Sequence, residues 1–269
     1  MWPIMIYNVR ESTVTVNNTA IDYISFGNGS KSLIMIQGLS TRGIKGAGLS
    51  LAYMYRIFAK EYKVYLFDRR PDVFNGITIQ DMAMDIADAM DAMGIQGADV
   101  FGVSQGGMIA QYLAIHRPDL VHKLVLAVTC SKANDTLVST IDHWINLTQQ
   151  GSYRDLVTDM AERMYSPKQL RRYRPLIPLL TLLQRPKNPD RFIILAKSCL
   201  TCHAFDDLCR IQCPVFVIGS KDDKVVGSNS SLEIAQRLNC EHHIYQGLSH
   251  AAYEEAKGFN QHVYDFLMK

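Results

Sequence analysis

Two periods alternate along the chain. Near the N-terminus apolar and polar residues trade places every second position, and "TVTVNNTAIDYISFG" predicts a hairpin turning at Asn17-Asn18. Further on, the apolar residues come in unbroken runs. "SLIMIQG" (Ser32–Gly38), "KVYLFD" (Lys63–Asp68), "ADVFGV" (Ala98–Val103), "KLVLAV" (Lys123–Val128), "PVFVIGS" (Pro214–Ser220) and "HHIYQG" (His242–Gly247) are six of them. Runs without polar alternation fit strands of a parallel sheet that is covered on both faces.

Between these runs the period lengthens to that of a helix. From Ile79 to Met93 the apolar residues are Ile79, Met82, Ala83, Ile86, Met90 and Met93, and Gly94 supplies a stop. Asp81, Asp85 and Asp88 fall on the other side, where a solvated helix face is expected rather than a metal site. A second helix is predicted from Gly106 to His116. Strands alternating with helices predict an α/β architecture, with a mostly parallel central sheet and helices on both faces. The rhythm breaks from about Asn134 to Leu208, where the pattern is helical throughout and Pro175, Pro178, Pro186 and Pro189 divide it. The expected organisation is a core of residues 1–133 and 210–269 with a helical cap inserted at 134–209.

Composition narrows the function classes. The 269 residues are 48% apolar and 20% charged, with a formal net charge of +2, so no electrostatic nucleic-acid binder is indicated. The opening "MWPIMIYNVRESTV" lacks the layout of a signal peptide, and no apolar run approaches the ~18 residues of a membrane span. Six cysteines without export signals read as reduced thiols in a cytoplasm. "CLTCH" (Cys199–His203), with Cys209 and Cys213 nearby, has the outline of a haem or zinc motif. Its irregular gaps favour ordinary thiols, and neither metal nor organic cofactor is expected. "KQLRRYR" (Lys168–Arg174) beside "PLIPLLTLL" suits a membrane surface or an anionic substrate less well than a solvated cap helix packed over the active site.

One turn carries chemistry. In "DVFGVSQGGMIA" the residues Gly102-Val103-Ser104-Gln105-Gly106 spell G-x-S-x-G between a strand-like run and a helix-like one. No Gly-Lys-Ser/Thr follows, which excludes a phosphate loop. A serine hydroxyl becomes a nucleophile only with a base in reach and an acceptor that orients the base. Of eight histidines, His250 in "YQGLSHAAYEE" follows the last strand-like run, where it leaves the carboxyl edge of the sheet. The acid belongs after the preceding strand, in "VFVIGSKDDKVVG". Asp223 is preferred for the turn-forming glycine four residues on, and Asp222 stays open.

The order Ser104, Asp223, His250 and four segments together resemble the α/β-hydrolase superfamily over essentially the whole chain. The segments are "YLFDRR", "GVSQGGMIAQYLAIHRPDLVHKLVLAVT", "CPVFVIGSKDD" and "GLSHAAYEEAKGFNQHVYDFL". The resemblance implies a capped serine hydrolase, esterase- or lactonase-like, acting on a small-molecule acyl substrate. Its oxyanion hole would use the backbone N–H groups of Gln105 and Leu39, with the Ser40 hydroxyl as a further donor. Many relatives carry His-Gly where this chain has Gln37-Gly38. Serine rather than aspartate at the elbow argues against epoxide hydrolase and dehalogenase chemistry. Carbon–carbon bond hydrolase, aminopeptidase and acyltransferase remain alternatives, as does a non-catalytic ligand-binding receptor. A homodimer is compatible with the sequence.

Overall fold

A computed structural model describes residues 7–269. The reading of the opening stretch rests partly on residues 1–6, which lie outside the described residues. Among the described residues eight strands form one sheet in the order β1-β2-β4-β3-β5-β6-β7-β8. They are β1 (Arg10–Val16), β2 (Thr19–Phe26), β3 (Lys31–Ile36), β4 (Tyr62–Phe67), β5 (Ala98–Val103), β6 (Val121–Ala127), β7 (Val215–Ser220) and β8 (Glu241–Tyr245). β1 and β2 run antiparallel, as do β2 and β4, and the other neighbours are parallel. The hairpin turns where both asparagines take left-handed backbone, with φ of 48° at Asn17 and 63° at Asn18. That is the two-residue turn whose twist matches the strands it joins.

The unbroken apolar runs have a direct physical cause. Successive residues of one strand enter different cores. Ile34 and Ile36 of β3 belong to one apolar cluster, and Leu33 and Met35 belong to another. The first cluster includes the helices Ile79–Ala92 and Gln105–His116. The second is closed by Phe58, Phe259 and Val263, the last two from the helix Phe259–Met268. A strand covered on both sides leaves no polar position.

Between β6 and β7 the chain forms the helices Asp135–Gln149, Tyr153–Met164, Pro167–Tyr173, Ile177–Gln184 and Pro189–Ser198. Leu137, Ile141, Trp144, Phe192 and Leu195 of these helices share the first cluster with the sheet. Val157, Ala161 and Ile177 make a small core of their own. The helical segment is thus packed onto the sheet rather than standing free.

Asp81 is exposed and Asp88 half-buried. Asp81 closes a capping box with Thr78, and Asp88 accepts from Asn17 at 2.6 Å. Asp85 departs from the expected solvated face. It is half-buried 3.6 Å from Arg70, and burial raises its pKa to about 6. Helix periodicity assigned it a side without showing that Arg70 and Asn17 would come to cover that side.

Candidate active site

Ser104 sits between β5 and the helix Gln105–His116 with φ 55° and ψ −121°, a strained conformation of the kind that costs ~1–3 kcal/mol. The surroundings hold it there. Its N–H donates to the Ala127 carbonyl at 2.9 Å. Its carbonyl accepts from Gly107 N–H at 2.8 Å, Met108 N–H at 3.1 Å and the Thr129 hydroxyl at 2.7 Å. The glycines admit the close approach. A Cβ on Gly106 would run into the Ile36 carbonyl and stand 2.5 Å from the Gln37 oxygen, and one on Gly107 would stand 2.6 Å from Thr129 Cβ. The hydroxyl is thereby presented at the carboxyl edge of the sheet, at a helix N-terminus.

The loop after β8 brings the buried His250 to that serine. The Ser104 hydroxyl and His250 Nε2 are 2.9 Å apart, and His250 Nδ1 is 2.8 Å from Asp223 Oδ2. With Nδ1–H donating to the carboxylate, Nε2 is free to accept the hydroxyl proton. Asp223, also buried, is fixed by its other oxygen, which accepts from Val225 N–H at 2.8 Å and Val226 N–H at 3.0 Å. Asp222 turns away and accepts from Gly247 N–H at 2.8 Å. The residues flanking His250 are fastened to the helical segment. The Ser249 hydroxyl donates to the Arg163 carbonyl at 2.5 Å, and Ala251 N–H donates to the Met164 carbonyl at 2.7 Å.

Gln105 follows the serine, and Leu39 follows the Gly38 that lies against it. Among the described residues neither backbone N–H has a protein acceptor, and a Cβ on Gly38 would lie 3.6 Å from the Ser104 hydroxyl. Backbone donors without a protein acceptor are the kind of group that can stabilise a developing oxyanion. The Ser40 hydroxyl accepts from Arg42 N–H at 3.2 Å and borders the cleft.

The sequence reading missed what holds this loop. Arg69, buried, donates through Nη2 to the Gln37 carbonyl, to the Gly38 carbonyl at 3.2 Å and to Gln105 Oε1 at 3.0 Å. Gln105 Nε2 then donates to the Leu195 carbonyl at 2.8 Å and the Ser198 hydroxyl at 3.2 Å. One guanidinium thus ties the Gln37-Gly38 loop and the residue after Ser104 to the helix Pro189–Ser198. Burial lowers its pKa to about 10, so it stays charged at neutral pH. The available signal was the "DRR" directly after β4, but nothing local gave its partners.

Two cavities meet at Leu39. The larger, about 420 Å³, is lined by Met160, Met164 and Leu180 of the helical segment. The smaller, about 200 Å³, is lined by Tyr55, Val103 and Tyr253. Glu254 borders both and accepts from the Tyr165 hydroxyl at 2.6 Å, and burial raises its pKa. Met108, which follows the serine on the helix, is buried in the first core cluster. His143 lies 3.6 Å from Asp159, and His203 donates its N–H to the Tyr112 hydroxyl at 3.1 Å. Cys199 and Cys202 are buried thiols pushed up to about 12 by burial. Among the described residues no group of three or more His, Cys, Asp or Glu side chains is placed to hold a metal ion.

Comparison with known proteins agrees with this architecture. Residues 37–257 match the family model of the alpha/beta hydrolase fold. A 2-hydroxy-6-oxononadienedioate/2-hydroxy-6-oxononatrienedioate hydrolase of Paraburkholderia phymatum is 30% identical over 92% of this chain and 90% of its own length. A 3-oxoadipate enol-lactonase of Acinetobacter baylyi is 22% identical over 96% of this chain and 97% of its own. The crystal structure of the enol-lactonase from Burkholderia xenovorans superposes with a TM-score of 0.82 at 18% identity, covering 96% of this chain and all of that one. With the elbow, the strand order and these likenesses in place, the chain belongs to the α/β-hydrolase fold family.

Proposed function

We propose that this chain is a serine hydrolase that cleaves a small carboxylic ester or lactone through an acyl-enzyme. Ser104 is the nucleophile, His250 the general base and acid, and Asp223 the residue that orients the imidazole. The reading rests on the relay from the Ser104 hydroxyl to His250 at 2.9 Å and on to Asp223 at 2.8 Å. His250 Nε2 takes the hydroxyl proton as Oγ attacks the carbonyl carbon. The oxyanion accepts from Leu39 and Gln105 N–H, and each such donor contributes ~3 kcal/mol to lowering the barrier. His250 returns the proton to the leaving alkoxide. Water then attacks the acyl-enzyme by the same route. No step calls for a metal or an organic cofactor. The helical segment 134–209 acts as the cap that walls the cleft and keeps bulk water from it. The setting proposed is cytoplasmic.

A second reading is hydrolysis of a 2-hydroxy-6-oxo dienedioate, favoured by the printed activity of the relative at 30% identity. The test compares turnover of p-nitrophenyl acetate and butyrate, an enol-lactone and such a dienedioate. Ester or lactone turnover that Ser104→Ala abolishes is expected. Undiminished turnover in that variant refutes the assignment, and turnover of the dienedioate alone selects the second reading.

A further inference from the structure

Four leucines of the helical segment stand in solvent. Leu176, Leu179, Leu182 and Leu183 are 45%, 54%, 63% and 49% exposed. They lie on the turn Arg174–Leu176 and the helix Ile177–Gln184, whose other side is apolar as well, with Ile177 packed beside Val157 and Ala161. A helix apolar all round belongs against a second apolar medium. The sequence suggested a solvated helix packed over the site, and the structure packs only its inner side.

Charge around this face is one-sided. Residues 165–188 carry six of the chain's 28 Lys and Arg residues (Lys168, Arg171, Arg172, Arg174, Arg185, Lys187) and none of its 26 Asp and Glu, which leaves the rest of the chain at net −4. Among the described residues only Arg174 of these six is ion-paired, at 3.7 Å to Glu162. The same helices line the larger cavity through Tyr173, Leu180 and Gln184.

The geometry points to this leucine face as a docking surface for an anionic lipid bilayer, which brings the cleft wall against the membrane. A bilayer satisfies both features at once. Leucines enter the boundary between headgroups and acyl chains, and the cations meet lipid phosphates. The other occupants satisfy one feature only. A second copy docked face to face sets six cations against six. A nucleic acid takes the cations and offers nothing to four aliphatic side chains, because single strands bind by stacking on aromatics. Among the described residues no helix is long and apolar enough to cross a membrane, so the attachment is peripheral and reversible. Docking is independent of the proposed activity, and only its effect on turnover rests on that reading.

Co-sedimentation of the full chain with vesicles tests this. Phosphatidylcholine vesicles with a quarter phosphatidylglycerol should bind at least ~10-fold more tightly than phosphatidylcholine alone, and 0.5 M salt should weaken binding. Arg171→Gln with Arg172→Gln should weaken it ~25-fold, at about fivefold per cation. Leu182→Ser with Leu183→Ser, at exposed positions, should weaken it about tenfold with the circular dichroism spectrum unchanged. Equal binding to both vesicle types, or indifference to both double variants, overturns the proposal. So does a dimer in sedimentation velocity that the leucine variant dissociates, because the face then belongs to a second copy. Anionic vesicles should also raise turnover of a vesicle-partitioned long-chain ester, and not in the leucine variant. If Ser104→Ala keeps that turnover, the hydrolase reading fails while the sedimentation result stands.

Discussion

Replacing Arg69 by methionine keeps the length of the side chain and removes the guanidinium. Three acceptors then lose their donor: the Gln37 carbonyl, the Gly38 carbonyl and Gln105 Oε1. Hydrogen bonds from a charged donor contribute ~1.5–3 kcal/mol each, and a buried acceptor left unpaired costs ~1–3 kcal/mol. The three bonds share one nitrogen and are not additive. Arg69 is itself desolvated, which offsets part of the loss. The net expectation is a fall in stability of about 3 kcal/mol, read from urea unfolding. Freed of its clamp, the loop lets the Leu39 N–H drift from its place beside Ser104, so kcat for a p-nitrophenyl ester should fall ~100-fold, with KM changed less. Arg69→Lys should recover part of the stability and little of the rate, because one ammonium does not reproduce the fork. Unfolding that moves by 3 kcal/mol while kcat stays at the wild-type value refutes the argument, since the loop would then hold its donor unaided.

Gly106→Ala forces a methyl group into the Ile36 carbonyl, so it should yield little folded protein, or a fold destabilised by more than about 4 kcal/mol, measured as soluble yield and unfolding midpoint. Asp223→Asn should lower kcat by ~10³–10⁴-fold with the melting temperature barely moved, while Asp222→Asn leaves kcat within about twofold. If the two asparagine variants exchange these effects, the acid has been misassigned. Asp85 has its pKa raised in the folded state to about 6 from 3.8. Its stabilising contribution is therefore full below about pH 4 and is lost as pH rises through 6. Asp85→Asn should accordingly be more stable than wild type at pH 7, by on the order of 2 kcal/mol, and equal to it at pH 4. An advantage that persists at pH 4 would show that burial of the charge is not the cause.

The sheet was legible because a strand covered on both faces has no polar position to disguise it. All six apolar runs became strands, and Asn17-Asn18 became the turn. The ends were less legible. "SLIMIQG" continues two residues past β3, which stops at Ile36 opposite Phe67 and Gly102. Gly38 marks a stop in the run, but the pairing already ends before Gln37, whose carbonyl, like that of Gly38, accepts from Arg69. In the site, Ser104 and His250 announce themselves through the turn and the loop that carry them. Arg69, Asp85 and Glu254 do not, because each owes its environment to residues 15 to 89 positions away. The exposed leucines were equally invisible. Periodicity separates apolar from polar faces, and a segment apolar on both faces gives no clue to which is covered.

The fastenings of the insertion constrain how a substrate can be admitted. Arg163, Met164 and Ser166 are bonded to the loop and short helix that carry His250, the last through Glu255 at 2.8 Å and 2.5 Å. Leu195 and Ser198 are bonded to Gln105. A hinge-like swing of the entire insertion would therefore break the bonds that hold His250 and Gln105 beside Ser104. Among the described residues the stretch from Pro167 to Gln184 makes no such bond to His250 or Gln105; it is held by the Arg42 bond to the Leu183 carbonyl at 2.6 Å and by Ile177 packed on Val157 and Ala161. Any widening of the entrance that leaves Ser104, His250 and Gln105 in place is thereby confined to that stretch.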